Sequence, residues 1–442
     1  MMKHESDLCE FYISLVGGSA SGKTSFISGV VQLLVSQGLS VGKAGDEKYI
    51  YFRPVAVGSG EIDARPEPVK TAAQAIPQIS SPFMSQSVGG GGGAFSAVGG
   101  APSPLKDKAQ VPSLNVTDKE GADRLGTAQQ VERLIRQWQI LSAENAGTKR
   151  AGFHAPTDKV SFAEMTFEVI INDVPRAKLR ITDYGGEFID DPDGTVQNVY
   201  SKLINHIYNS DGAIILANVR AMEEHIDDTF DANSSMFRAV GVNRSISADS
   251  INSLFRSMGE KKDFTIVAAL TQTDNPFIDK RLSENNFRRP LTELKKNILR
   301  PTFQCAAMRK WSSGLLPVTA VGTKRDGSAN VDKLNNLIED AVISPHGIDT
   351  AVLFCLYNGA LARKKELSRE RDSLCGMFAR PKLFADKAER EKFSELCSQI
   401  DDLSAIADAL HSDPQLFEEV FEGECALEKT TVVGDVKVRK QR

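Results

Sequence analysis

The sequence predicts an α/β fold, with a mostly parallel sheet flanked by helices. Three observations support this prediction. A glycine-rich segment near the amino end separates a strand-like run from a helical one, and three later apolar runs have the length of buried strands. Helical stretches lie between those runs, and alternation of strands with helices is typical of a parallel sheet.

The first strand and helix enclose a phosphate-binding motif. Residues 11–16 are apolar, residues 25–35 have helical spacing, and GGSASGKT lies between them. The residues that match G-x-x-x-x-G-K-[ST] are Gly17, Gly22, Lys23 and Thr24. Backbone N–H groups and a helix N-terminus bind phosphate in such a loop. The sequence therefore predicts the fold of a P-loop NTPase.

Each residue of this loop has a predicted role. Lys23 is expected to stabilise negative charge on the β- and γ-phosphates, and the Thr24 hydroxyl to bind Mg²⁺. The remaining residues that we expect to contact nucleotide here are Ser19, Ala20, Ser21 and Ser25. A chance match in a glycine-rich turn is the alternative, and the flanking strand and helix argue against it.

Further strands follow along the chain. KYIYFRPVAV is a possible short strand, and two strand-like runs meet around Val174-Pro175 in a predicted β-hairpin. The three buried-type strands are predicted at 211–219, 264–270 and 315–321.

A low-complexity insertion interrupts the domain. Residues 58–126 are rich in Pro, Gly, Ser and Ala and have few large apolar side chains, so we predict that they are disordered rather than an ordered lid. A helix is expected over 127–144. The predicted nucleotide-binding domain comprises 9–57 and 127–365.

The carboxyl-terminal residues 366–442 are predicted to form a helical extension with a frayed tail. Apolar residues spaced by three or four positions before and after ARPKLF favour an antiparallel helical hairpin with an apolar seam. Packing of the hairpin on its own nucleotide domain is favoured over a coiled coil that binds a partner.

Composition excludes several classes of protein. The 442 residues carry a net charge of −5, which argues against a dedicated nucleic-acid binder. Six scattered cysteines predict neither a zinc site nor a disulfide framework, which fits a reducing compartment. A signal peptide and a membrane span are not expected, so we predict a cytoplasmic protein.

A second candidate motif is DYGGE at the end of a strand. Asp183 and Gly186 form D-x-x-G, in which the aspartate holds Mg²⁺ through water and the glycine N–H contacts the γ-phosphate. Gly185 and Gly186 would let this loop move when that phosphate is lost. An ordinary turn after a strand is the alternative.

Two further motifs bear on the choice of base. Asp274 in LTQTD follows a strand, and its carboxylate could accept hydrogen bonds from guanine N1 and N2, which adenine does not offer. A helix cap is the alternative for this aspartate. The third motif, in which a backbone N–H would lie near guanine O6, consists of Thr319, Ala320 and Val321.

The ordered set GGSASGKT, DYGGE, TQTD and TAV resembles the motif series of Ras-like regulatory GTPases, and DYGGE is closest to the Arf and G-alpha branches. The resemblance covers 11–57 and about 150–365. It implies that Thr157 is the switch threonine that contacts Mg²⁺ and the γ-phosphate; an ordinary turn residue is the alternative. The helix before Thr157 is similar to bacterial double-GTPase proteins.

The sequence departs from that family at three positions. Thr271 and Gln272 replace an asparagine that braces the phosphate loop and a lysine that covers the base, which we expect to lower affinity. Glu187 replaces the glutamine that orients water, so slow hydrolysis is expected. The candidates for an internal arginine finger are Arg53, Arg150 and Arg176.

Three functions remain open at this stage. The first is a Mg²⁺-dependent GTPase switch, in which Lys23, Gly186 and Glu187 are catalytic and a partner protein binds the switch region, the insertion or the C-terminal helices. The second is a nucleotide-binding scaffold that hardly hydrolyses. The third is a P-loop ATPase, although Tyr184 stands where an ATPase usually has a glutamate after its aspartate.

Overall fold

The computed structural model describes eleven strands and the helices that flank them. Backbone alone is described at 162, 163, 183, 184, 223, 281, 422–425, 430–433 and 436–438. The described residues are 8–18, 21–42, 47–55, 162–184, 205–223, 246–258, 261, 263–275, 278, 280–324, 328–331, 338, 343–375, 387–413, 415–425, 430–433 and 436–438.

The strands form one sheet in the order β11-β10-β9-β8-β7-β6-β1-β5-β4-β3-β2. Their bounds are β1 Cys9–Val16, β2 Leu39–Val41, β3 Lys48–Pro54, β4 Phe162–Ile171, β5 Val174–Tyr184, β6 Gly212–Asn218, β7 Thr265–Thr271, β8 Ser312–Pro317, β9 Phe421–Cys425, β10 Thr430–Val433 and β11 Val436–Val438. The five central strands, from β5 to β8, are parallel. Both edges are antiparallel.

Helices cover both faces of this sheet. Their bounds are α1 Lys23–Val30, α2 Arg220–Glu223, α3 Ala248–Ser257, α4 Lys280–Glu293, α5 Arg300–Arg309, α6 Ile348–Leu374 and α7 Lys387–Ser412. Helix α1 continues with π-helical pitch over Val31–Gln37. Helix α4 is broken between Glu284 and Phe287 and continues as a π-helical turn over Leu294–Ile298. A short helix spans 205–209.

The sheet separates two apolar cores. One core lies between the sheet and helices α1, α6 and α7, and the other between the sheet and helices α3, α4 and α5. The continuous apolar runs of β6 and β7 are explained by this arrangement, because a central strand of a two-sided sheet is buried on both faces. The prediction of an α/β fold with helices on both faces is confirmed.

Most predicted strands are present near their expected places. The hairpin around Val174-Pro175 is formed by β4 and β5, and its turn residues Asn172 and Asp173 have φ values of 48° and 63°. The strand predicted at 315–321 ends earlier, at Pro317, because the chain leaves the ladder with β7 there. The predicted insertion 58–126 and helix 127–144 lie outside the described residues.

The C-terminal helices are antiparallel and share the core of the sheet. Tyr357 stacks on His411, and Lys392 pairs with Glu370, which sets the direction of α7 against α6. Helix α6 runs unbroken through the predicted boundary at 365/366, and its residues 348–360 are buried against the sheet. The predicted frayed tail also differs: residues 421–438 add β9, β10 and β11.

Among the helices of the described residues, none combines the length and the apolar character that crossing a bilayer requires.

Candidate nucleotide-binding site

The predicted motifs converge at one edge of the sheet. The segments that carry them follow the carboxyl ends of β1, β7 and β8, and Asp183 is near the end of β5. Register places Ser14 beside Thr182 and Leu270 beside Pro317, so these strand ends are aligned. Ligands of open α/β sheets bind in the crevice outside such ends.

In the predicted phosphate-binding segment, residues 17–24, which we call the phosphate loop after its predicted role, the side chain of Lys23 contacts the backbone of Gly17 and Gly18. The buried ammonium donates hydrogen bonds to the carbonyl oxygens of Gly17 and Gly18, at 2.7 and 3.0 Å, and lies 3.4 Å from Ser21 Oγ. A Cβ on Gly17 would lie 2.9 Å from Ser21 Cβ and 3.0 Å from the carbonyl oxygen of Leu216, so a side chain at this position would crowd the segment. Ser19 and Ala20 lie outside the described residues.

The first turn of α1 begins at a glycine in a left-handed conformation. Gly22 has a φ of 92°, and its carbonyl accepts the N–H of Phe26 at 2.8 Å. Thr24 and Ser25 occupy this turn and are half-buried. The helix N-terminus and the buried ammonium together favour an anion at the loop.

Thr271, at the end of β7, is hydrogen-bonded to the phosphate loop. Its Oγ1 lies 3.1 Å from the carbonyl oxygen of Ser21 and 3.3 Å from that of Ala217. We expected the replacement of asparagine by threonine to weaken the brace on this loop. The structure retains a bracing contact, because the threonine hydroxyl donates to the carbonyl oxygen of Ser21 in this loop.

Asp274 presents a carboxylate that is only partly satisfied. Burial raises the pKa of this carboxyl, and hydrogen bonds from the Thr319 hydroxyl and the Gly322 N–H act in the opposite direction. Oδ2 is buried and has no hydrogen-bond partner in the described part of the chain. An unpaired buried acceptor is costly, so this oxygen is suited to a ligand that brings N–H donors. Gln272 lies two residues before, with a φ of 61°.

The loop after β8 holds Asp274 in place. We call residues 319–322 the base loop. Thr319 Oγ1 accepts the N–H groups of Val321 and Gly322, at 3.2 and 2.9 Å. Thr319 and Val321 are buried, and Ala320 is half-buried.

Two contacts of the base loop come from residues that sequence reasoning missed. Asn330 Nδ2 donates to the carbonyl oxygen of Gly322 at 3.1 Å, and the Ser344 N–H donates to that of Val321 at 2.7 Å. Gly322 has a φ of 74°, and a Cβ there would lie 1.9 Å from the Ser344 carbonyl oxygen. Neither Asn330 nor Ser344 belongs to a recognisable motif. The signal that the sequence offered here is Gly322, since glycine is common where the backbone adopts a left-handed conformation.

The predicted hydrolytic and metal-binding residues are only partly described. The backbone of β5 brings Asp183 to the edge that carries the phosphate loop. Thr157, Gly185, Gly186 and Glu187 lie outside the described residues, so their predicted roles stay predictions.

The arginine-finger candidates that the structure describes are engaged away from the phosphate loop. Arg176 pairs with Asp402 of α7 at 3.0 Å, and Arg53 pairs with Glu168 across β3 and β4. Arg150 lies outside the described residues.

Comparison of the chain with models of known protein families and with curated proteins finds no match.

Proposed function

We propose that this protein is a GTP-binding regulatory switch that hydrolyses GTP slowly, with Mg²⁺, to GDP and phosphate and so gates a partner protein. The observation that carries the proposal is the buried Oδ2 of Asp274, which has no partner in the described residues beside a loop that follows the adjacent parallel strand. A phosphate loop with a buried lysine lies at the same edge of the sheet.

Guanine can supply the hydrogen-bond donors that the Asp274 carboxylate needs. Its N1–H and N2–H groups can bind the two oxygens of Asp274, whereas adenine presents an acceptor at N1 and would leave Oδ2 unpaired. A site built to accept hydrogen bonds discriminates strongly against a base that cannot donate them. The Val321 N–H is already bound to Thr319, so Ala320 is the candidate donor to guanine O6.

The phosphate loop fits a triphosphate. Lys23 can exchange its carbonyl partners for β- and γ-phosphate oxygens, since its ammonium already lies within the loop. Mg²⁺ would be held by the hydroxyls of Thr24 and Thr157 and, through water, by Asp183. A bound metal ion would neutralise charge that develops on the phosphates.

Slow hydrolysis follows from Glu187. A carboxylate can orient a water molecule but does not donate a hydrogen bond while ionised, and its charge opposes the γ-phosphate. Loss of that phosphate would release the segments around Thr157 and 184–192. A partner protein is expected to bind near these segments.

Direct competition between nucleotides tests the proposal. Fluorescent GTP, displaced by unlabelled GTP or ATP with Mg²⁺, should report strong preference for GTP in the intact protein. Asp274→Ala should erase this preference, whereas Asp263→Ala, at an exposed aspartate before β7, should retain it. Equal displacement by ATP would contradict the guanine assignment and favour an ATPase.

Hydrolysis separates a switch from a scaffold. Glu187→Gln should raise GTP turnover with unchanged binding if the protein is a switch with low activity. Absence of turnover in both proteins, while GTP still binds, would favour the scaffold.

A further inference from the structure

The base loop is joined to a segment that no nucleotide motif includes. Thr319 and His346 form an antiparallel pair, with N–H to carbonyl distances of 3.0 Å from Thr319 to His346 and 2.9 Å in return. Thr319 also binds the Asp274 carboxylate through its hydroxyl. Thr319 thus connects the backbone of His346 to the carboxylate of Asp274, the group that would bind the base.

The side chain of His346 contacts the C-terminal part of the chain. Its Nε2 lies 2.9 Å from Oε1 of Glu419, two residues before β9, the strand that pairs with β8. The neighbours of Glu419 are fixed, because Val420 is buried and Phe417 packs edge-on against Phe354 at 5.5 Å. The backbone of Glu419 is therefore anchored next to the core, while its side chain is 35% exposed.

Glu419 favours the charged form of His346. The hydrogen bond to Glu419 raises the pKa of His346, and burial opposes it. Asp349, in the first turn of α6, is the other acidic group that acts on this histidine, and burial raises its own pKa. The pair is partly exposed, so its effect is modest.

We propose that His346 and Glu419 form a clamp that positions the base loop, so that the C-terminal segment sets the affinity of this site for guanine nucleotides. The clamp consists of the His346–Glu419 side-chain pair and the Thr319–His346 backbone pair. His346 and Glu419 are positioning residues and do not touch the nucleotide. This inference rests on the proposed function.

The clamp predicts a pH dependence of definite sign. A histidine whose pKa is raised in the folded protein contributes its stabilisation at low pH and loses it as the pH rises through that value. Affinity for GTP should therefore fall about two- to fivefold between about pH 6 and pH 8.5, the range expected for an exposed pair. Burial raises the pKa of Asp274, and protonation of this carboxylate at falling pH would act on GTP affinity in the opposite direction.

Matched variants test the clamp. Glu419→Gln and His346→Gln each remove one charge of the pair and should make GTP affinity nearly independent of pH over this range. Glu418→Gln removes the same charge one residue earlier, at an exposed position, and should retain the wild-type profile. A wild-type profile in Glu419→Gln would overturn the inference.

A readout without nucleotide separates this inference from the proposed function. Hydrogen exchange at the Thr319 amide should be about two- to fivefold faster in Glu419→Gln than in the wild type near pH 6, and equal near pH 8.5. Equal exchange at both pH values would overturn the clamp even if GTP binds. Failure of the wild type to bind GTP, with the exchange difference present, would overturn the proposed function and leave the clamp standing.

Discussion

The phosphate loop and the base loop are built in different ways. The phosphate loop is a single stretch whose own lysine is bound to its own carbonyl oxygens. The base loop depends on distant residues, namely Asn330, Ser344 and His346. Thr271 links the two loops, since it lies at the end of β7, three residues before Asp274, and contacts Ser21 of the phosphate loop. A local site is therefore visible in sequence, whereas a site assembled from separate segments becomes visible in three dimensions.

The largest expected effect is at the phosphate loop. Lys23→Met should reduce GTP affinity about 100-fold, because a buried ammonium that can bind phosphate oxygens is replaced by an apolar chain of similar length. Binding of a fluorescent GTP analogue measures this loss. Lys310→Met, at an exposed lysine, is the control and should bind normally. Unchanged affinity in Lys23→Met would contradict the assignment of the loop.

Two glycines sharpen the comparison between the loops. Gly22 and Gly322 have φ values of 92° and 74°, so alanine is strained at both. A Cβ on Gly22 meets nothing nearer than 4.0 Å, whereas one on Gly322 meets a backbone oxygen at 1.9 Å. Gly322→Ala should lower the free energy of unfolding by about 2–3 kcal/mol and Gly22→Ala by about 1 kcal/mol. Chemical denaturation checks the order, and the reverse order would contradict this account.

The brace between the loops should have a smaller effect. Thr271→Val retains the shape of the side chain and removes the hydroxyl that contacts the Ser21 carbonyl, so GTP affinity should fall about fivefold. Isothermal titration measures it. Thr265→Val makes the same change at the other end of β7 and should bind as the wild type does. Equal affinity of all three proteins would show that the contact is irrelevant to binding.

The last prediction concerns the pH dependence that Asp274 gives to binding and to stability. Burial places the pKa of Asp274 above its ordinary value of 3.8. In the proposed mode of binding, GTP needs the ionised carboxylate, so affinity should fall as the pH drops through this raised value. The unliganded protein should instead be stabilised there, because its folded state binds the proton more tightly than the unfolded chain. Titration and unfolding of wild type and Asp274→Asn check both signs, and the variant should show neither effect.

The sequence predicted the parts of the fold that have local signals. The strand before Gly17, the helix from Lys23 and the buried runs of β6 and β7 all have short-range patterns. The antiparallel edges were not predicted as parts of the same sheet, because the pairing of β9 with β8 joins residues about a hundred positions apart. The helical spacing from Leu353 onward was visible in the sequence, but the burial of the first half of α6 against the sheet was not, so a domain boundary was placed at 365/366 inside this helix.

The candidate site shows the same division. Lys23 and Asp274 were identified by motif, and the structure adds what surrounds them. Thr271 was predicted to brace the phosphate loop less well than the asparagine found in the family. Its contact with Ser21 joins residues 250 positions apart in the chain, so it could not be predicted from the sequence. The link from Thr319 to His346 and Glu419 likewise depends on the C-terminal segment lying beside β8.

The central claim is that Asp274 reads guanine, and exchange of its hydrogen-bonding pattern tests it most directly. Asp274→Asn replaces one acceptor by a donor, which complements the C2 carbonyl of xanthine instead of the amino group of guanine. Competition between GTP and xanthosine triphosphate should therefore shift toward the xanthine nucleotide by about tenfold or more in the variant, with Asp263→Asn unchanged. Retained preference for GTP in Asp274→Asn would contradict the claim.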